Sequence, residues 1–441
     1  MPLTIAGQSI RCGNRNFVAA DQLKHEKNGR TFVVRSLVER CDSGAARAVT
    51  WRTEPGAVCT SDLITGGLPD PINKLSADHH TPIISEGRPL LLLGSPLEKA
   101  WGFEHTFTMI DPRQVNDVSD DLGRTAKLPD VLNLFPEGFG INPETNLILL
   151  KILKPGSTPI KSDLYLEVHW EKEEAYVVTK IDREAWPDGV AQIVCGLDPD
   201  LLELYKYNFA ESWEARYKAD FKAASDAYRI EVYEKYTANG ESAPEEVESK
   251  LRQEVYRFIG KKDVREGDVL VFPKGTVHSL QHGIQVAEIL TPHYERGIIL
   301  PTPQKVTSFG GDWSTDKAFD AMIMRSYESP DFNLVANPFG HQIDDLVSFQ
   351  MGNYLLRAHR VYMESGGIFN DNTEYYPNLR SYHMLLPISG KLTVSSNIAD
   401  SLLIGPEHGL IIPASTGEYV VGNPSGDVSI YLKMYLMACS R

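Results

Sequence analysis

The sequence predicts a mostly β protein with one helical insertion, and three observations carry that reading. Short runs of β-branched and aromatic residues, punctuated by glycine and proline, fill much of residues 30–198 and resume at 268–290. Between them, residues 199–261 place apolar side chains three and four apart, the period of an amphipathic helix. From about residue 340 a second β-rich block runs to the end, and many short strands joined by turns argue for a sandwich or a barrel.

Taken in order, RTFVVRSLVER and ARAVTWRT alternate like strands, and Gly66, Gly67, Pro69 and Pro71 mark loops after them. NLILLKILKPG (146–156) is a buried strand closed by Pro155 and Gly156. DLYLEVHWEKEEAYVVTKID (163–182) is two strands separated by the charged run Glu171 to Glu174. The helical stretch breaks at Asn239-Gly240, and Pro244 opens a further helix with acids in its first turn. Its aromatic stripe of Tyr205, Trp213, Tyr217, Phe221 and Tyr228 is expected to be core. Strands resume at DVLVFPKGTVHSL and GIQVAEIL, then at LLRAHRVYM, YHMLLPISGKLTVSS, SLLIGPEHGLIIPASTGEYVVGN and VSIYLKMYL. The expected organisation is a β-rich segment over 1–145 without an assigned role, a first barrel from 146–198 and 262–300, the helical insertion 199–261, and a second barrel over 331–441.

Length and composition bound the rest. The chain has 441 residues, 42% of them hydrophobic, enough for roughly two to four domains with real cores. Acidic residues number 59 against 44 basic ones, a formal charge of −15. Nucleic acid is therefore not expected as a partner, because phosphate binding needs a clustered basic surface, and an anionic substrate would need a local basic pocket. The five cysteines are scattered and none pairs at metal-clip spacing, which fits a reducing compartment. The N-terminus lacks a basic head followed by an apolar stretch, and the apolar run Pro89 to Leu93 is too short for a bilayer. The expectation is a cytoplasmic protein without a membrane segment; the oligomeric state is left open.

Two pieces of sequence carry chemistry. In Glu167-Val168-His169 the outer side chains share one face of a strand, so both can converge on one ion, and Glu174 can return from the next strand. Alone, this spacing is also that of an ordinary surface charge pair. The second piece is more specific. Residues 267–278, GDVLVFPKGTVH, place Gly267, Pro273, Gly275 and His278 in a G-x5-P-x-G-x2-H pattern, where glycine and proline set the turn that aims the histidine inward. In the second β-rich block no such histidine set occurs, and the offset from Pro413 falls on Glu418 where the first block has Pro273 and His278.

Together these motifs resemble the paired signatures of the cupin superfamily, a double-stranded jelly-roll barrel, and more of the chain resembles one branch of it, the type I mannose-6-phosphate isomerases. LILLKILKPGS, LEVHW and KEEAYVV follow that family's order. Ala100-Trp101-Gly102 is similar to its early A-W-G, GTVHSLQHGIQVAEIL to its second motif, and IPASTGEYVV to its closing segment. The helical insertion is also a family feature. The resemblance covers roughly 96–102, 146–296 and 380–436. It implies two cupin-type jelly-roll barrels, the second metal-free, and one divalent metal held by Glu167, His169, Glu174 and His278. Zinc is the first expectation; Mn, Fe, Co and Ni also suit imidazole and carboxylate ligands.

The implied reaction interconverts an aldose and a ketose, with a sugar or sugar phosphate as substrate. Lys172 takes the place of the family's lysine beside the ligands, for substrate binding or proton transfer. Arg296 is the expected substrate-facing arginine, and His293 a further substrate contact. His282, His293 and, more weakly, Glu288 are further base candidates. His79-His80 and Glu104-His105 are left as surface residues. Three departures stand out: Glu167 replaces the family's glutamine, Trp170 its proline, and the loop from His169 to Glu174 is much shorter. They keep two other readings open, an isomerase of an unphosphorylated sugar and a sugar-binding cupin without catalysis.

Overall fold

A computed structural model describes residues 8–12, 15–25, 30–41, 46–57, 60–61, 70–109, 115–140, 147–293, 295–301, 313–328, 333–335, 342–351, 354–373, 381–397, 399–406 and 408–438. It is mostly β, with two jelly-roll barrels of the cupin type and a helical insertion in the first. The chain divides into two units. One comprises 96–105 and 150–331; the other comprises 1–95, 106–149 and 332–441.

In the first unit, a six-stranded sheet runs in the order Val269–Phe272, Glu174–Ile181, Ile284–Leu290, Leu149–Pro155, Gly102–Thr106 and Ser95–Lys99. A five-stranded sheet runs Ile259–Val264, Ala191–Leu197, His278–Ser279, Leu166–Val168 and Gly297–Leu300. The sheets share a core of Leu153, Tyr176, Val178, Ile193, Cys195, Leu270, Phe272 and Leu280. The other face of the five-stranded sheet is covered by the helical insertion: Leu166, Val168, Val194, Leu197 and Ile299 pack with Tyr217, Phe221, Tyr228 and Val255. That covering decides the site. Leu166 and Val168 face the helices, so strand alternation sends Glu167 and His169 to the barrel side.

The insertion forms where the sequence has its helical period. Asp198 caps the first helix, Pro199–Phe209, by accepting from the Leu201 amide at 2.8 Å. Trp213–Tyr228 follows, and Pro244 with Glu245, Glu246 and Glu248 starts Glu245–Tyr256. The aromatic stripe is core as expected: Tyr217, Phe221 and Tyr228 are fully buried, and Tyr217 donates to the Phe258 carbonyl at 2.6 Å.

The Pro273–His278 turn depends on glycine. Gly275 has φ +81°, and a Cβ there would lie 2.5 Å from the Ala321 carbonyl oxygen. The Gly275 carbonyl in turn accepts from the Ile323 amide at 2.9 Å. Gly275→Ala is therefore expected to lower stability by about 1–3 kcal/mol, read as a drop in the urea midpoint at unchanged m-value.

The second unit holds a separate antiparallel sheet, Gln8–Cys12, Arg15–His25, Thr31–Arg40, Ala46–Thr53 and Ile84–Ser85, backed by the helix Pro71–Asp78. Phe17, Leu37, Val49, Trp51, Ile72 and Leu75 form its core. Its barrel pairs a nine-stranded sheet with the four strands Ile368–Asn372, Glu418–Gly422, Leu392–Ser396 and Ala399–Ile404. The nine-stranded sheet takes in an early strand, Leu90–Leu93, whose Leu91 lies opposite Leu410 of His408–Ile412. Glu418 is exposed while Tyr419 beside it is buried. Among the described residues, no helix is long and apolar enough to cross a membrane.

Candidate metal centre

The strand Leu166–Val168 and the short strand His278–Ser279 are neighbours, with Glu167 directly opposite His278. This pairing turns two distant motifs into one site. Among the described residues, Glu167, His169 and His278 form the one group whose ligand atoms all lie within 4.8 Å of one another. Glu174, the fourth expected ligand, comes from the facing sheet. Its Oε1 is 3.4 Å from His169 Nε2, and its Oε2 is 2.9 Å from His278 Nε2.

The outer nitrogens fix both rings. His169 Nδ1 lies 2.9 Å from the Glu295 carbonyl oxygen and His278 Nδ1 lies 3.0 Å from that of Thr276. A carbonyl only accepts, so each Nδ1 carries the proton and each Nε2 faces the centre. The His278 ring stacks on Phe272 with centroids 4.4 Å apart and planes at 10°. Burial, reinforced by the Lys172 ammonium, holds the His169 pKa well below the usual histidine range, so its Nε2 offers a lone pair. Burial also disfavours a charged His278, but Glu174 outweighs it and the pKa rises. Burial pushes the Glu174 carboxyl up; Lys172 and the two histidines outweigh that and hold it well below the usual range.

The donor set fits a divalent cation. His169 Nε2 is buried without a hydrogen-bond partner at the centre, 3.4 Å from Glu174 Oε1. Buried polar atoms are rarely left so, and two imidazole nitrogens with carboxylate oxygens match zinc or a similar ion.

The short loop after His169 is held from the second motif's tail. One oxygen of Glu295 accepts from the Glu171 and Lys172 amides, each at 2.8 Å, and Thr291 Oγ1 accepts from the Glu173 amide at 3.0 Å. Lys172 itself forms an ion pair with Glu174 Oε1. Arg296 lies over the Tyr165 ring, 4.9 Å from its centroid. His293 is 42% exposed, with Nδ1 3.9 Å from Glu171. His282 is tied elsewhere: Nδ1 is 2.7 Å from Asp163, and the ring stacks on Trp186.

The sequence reading missed a second charged group in this barrel. Lys151 projects from the strand Leu149–Pro155 to Glu288 at 3.1 Å and Glu104 at 4.0 Å. Glu104, read from sequence as a surface residue, has only 14% of its side chain exposed and also meets Lys99 at 3.5 Å. Burial raises the Glu288 pKa to about 7; Lys151 opposes that rise and Glu174 adds to it. Burial alone would lower the Lys151 pKa, but Glu288, Glu104 and Glu174 outweigh it and the pKa rises. The two directions agree: Lys151 keeps its proton among these carboxylates, and the buried Glu288 holds one up to about 7. The available signal for Lys151 was one cation inside an apolar run; Glu104 had no local signal.

Fold and site thus define a cupin-type jelly roll with a candidate metal centre. The solved structures similar to this chain include mannose 6-phosphate isomerase from Bacillus subtilis, with TM-score 0.54 and 13% identity, covering 78% of this chain and 99% of that one. A variant of phosphomannose isomerase from Salmonella typhimurium gives TM-score 0.53 and 10% identity, covering 79% and 99%. No protein-family model and no curated sequence matches the chain. At these identities the likeness establishes the fold.

Proposed function

We propose that this protein is a metal-dependent aldose–ketose isomerase acting on a sugar or sugar phosphate, as its structural relatives' names suggest for them. One observation carries the reading: the ligand atoms of Glu167, His169 and His278 converge within 4.8 Å, with His169 Nε2 left without a partner, in a barrel interior that also holds a buried acid whose pKa lies near 7.

The reaction moves a proton between C1 and C2 through a cis-enediol. Glu167, His169, His278 and Glu174 would hold a divalent ion, which would supply Lewis-acid polarisation of the sugar oxygens. Glu288, as the carboxylate, takes the C2 proton and returns it to C1. Lys151 beside it steadies the carboxylate form. Lys172 holds the substrate oxygens and relays the proton that leaves one hydroxyl and reaches the other. Arg296 offers a guanidinium to the enediolate or to a phosphate. His282, occupied by Asp163, and the half-exposed His293 are weaker base candidates than Glu288, the reverse of the order read from sequence.

The unphosphorylated-sugar reading draws on Glu167, which adds a negative charge where the resembling family has an amide, in a barrel already holding Glu104, Glu174 and Glu288. A coupled assay with phosphorylated and free sugars, on protein of measured metal content, separates the readings. Turnover of free sugar alone excludes phosphate recognition, and no turnover with any metal leaves the binding-protein reading. Lys172→Met is expected to keep its metal while turnover falls by about a hundredfold or more. An unchanged rate removes Lys172 from the chemistry.

A further inference from the structure

The C-terminal barrel carries a polar cluster that the isomerase reading does not use. Strand register builds it. In the nine-stranded sheet Asp345 lies opposite His359, and His359 opposite Lys433. One step along, Arg357 lies opposite Tyr435, and Tyr435 opposite His383. Directly opposed residues share a face, so these six form a patch beside the apolar barrel core that contains Val361, Leu385, Leu410 and Tyr431. The four-stranded sheet adds the opposed pair Asp371 and Tyr419.

The groups are wired in pairs. Tyr419 donates to Asp371 at 2.7 Å, and His383 Nδ1 is 2.7 Å from the Tyr419 oxygen. Lys433 pairs with Asp371, and Arg357 with Asp345. His359 Nε2 stands 3.4 Å from the Tyr435 hydroxyl and 3.6 Å from Asp345 Oδ1. Burial, with Lys433 nearby, pushes His359 down to about 4 and His383 down to about 3, so both rings are neutral at pH 7. Two cations then meet two carboxylates, and the cluster has no net charge.

Three of its polar atoms lack what buried polar atoms require. Asp345 Oδ1, Arg357 Nε and the Tyr431 hydroxyl are all inaccessible and have no hydrogen-bond partner among the described residues. Tyr431 is fully buried. Tyr431, Lys433 and Tyr435 alternate along the strand Ser429–Ala438, so their side chains share one face, and Tyr431 packs in the same core as Tyr419. Each such orphan destabilises the fold unless something fills the gap. The deep members are closed off, but Asp345, Arg357 and His359 keep 20%, 24% and 15% of their side chains exposed, so the cluster opens at that end.

We propose that this interior is a second small-molecule site, built for a neutral polyhydroxy compound such as a free sugar or polyol. Hydroxyl groups both donate and accept: those of one polyol can give to Asp345 Oδ1 and receive from Arg357 Nε and the Tyr431 hydroxyl. An anion would compete with Asp345 and Asp371 for their cations, and a metal ion would meet the Lys433 ammonium. The proposal does not depend on the isomerase reading.

Saturation-transfer NMR and calorimetry on the full-length chain test it, with D-mannose and D-glucitol as neutral probes and inorganic phosphate as the anionic one. His278→Ala silences the metal centre, so binding at the second site is expected to survive that change. Tyr431→Phe is expected to weaken polyol binding about tenfold while leaving the unliganded melting temperature unchanged or higher, because the hydroxyl has no partner to lose. Failure of both neutral probes to bind, or loss of their binding in His278→Ala, overturns the proposal. So does phosphate binding that responds to Tyr431→Phe in place of polyol binding, or a lower melting temperature for unliganded Tyr431→Phe, which would mean that the hydroxyl already serves the fold.

Discussion

Replacing His278 with alanine is expected to strip the bound divalent ion and to reduce isomerase turnover by about a thousandfold or more. The ring is irreplaceable by position: it is paired across from Glu167, stacked on Phe272, oriented through the Thr276 carbonyl, and 2.9 Å from Glu174. Without it the centre keeps one imidazole between acids that Lys172 partly neutralises, a weak set for a borderline ion. Lewis-acid polarisation supplies several kcal/mol, and each 1.36 kcal/mol is tenfold in rate, which gives the scale of the loss. Elemental analysis after dialysis against buffered zinc is the direct measurement. Stoichiometric metal in His278→Ala with normal turnover would falsify the centre described here. The variant should remain folded, because the insertion packs against the opposite face of the sheet through Leu166, Val168 and Val277.

The parts of this molecule legible in the sequence are those written by local rules. The period of two in Glu167-Val168-His169, the turn chemistry of Gly267, Pro273 and Gly275, and the helical period of 199–261 each depend on residues close in the chain. What escaped depends on pairing between distant strands. Leu90–Leu93 reads as a short apolar run, yet it belongs beside His408–Ile412. Lys151 looks like an interruption of a buried strand until Glu288 and Glu104 are placed around it. The second barrel shows the same limit: the offset from Pro413 leads to the exposed Glu418, whereas the inward group is its neighbour Tyr419, which meets Asp371 and His383. A one-residue change of face inverts what a motif delivers.

Glu288→Gln is expected to lower kcat by about a hundredfold to ten-thousandfold while leaving metal content unchanged, the range associated with a positioned general base. The amide keeps size and burial but cannot take a proton. The pH dependence distinguishes this role from a structural one. Glu288 titrates at about 7, raised by burial and by Glu174 against the pull of Lys151, so wild-type kcat should rise with pH through that value as the carboxylate forms. Glu288→Gln should lose that rise and keep only a low, flat rate. Linkage gives an independent readout of opposite sign. A carboxyl raised above its unfolded value favours the folded state at low pH, and that contribution is lost as pH climbs from the unfolded value of 4.5 through about 7. Wild-type stability should therefore decline across this window more steeply than that of Glu288→Gln, whose amide does not titrate. Urea denaturation at a series of pH values measures the difference. Parallel stability profiles together with an unaltered kcat profile would return the proton-transfer role to Lys172 or His293.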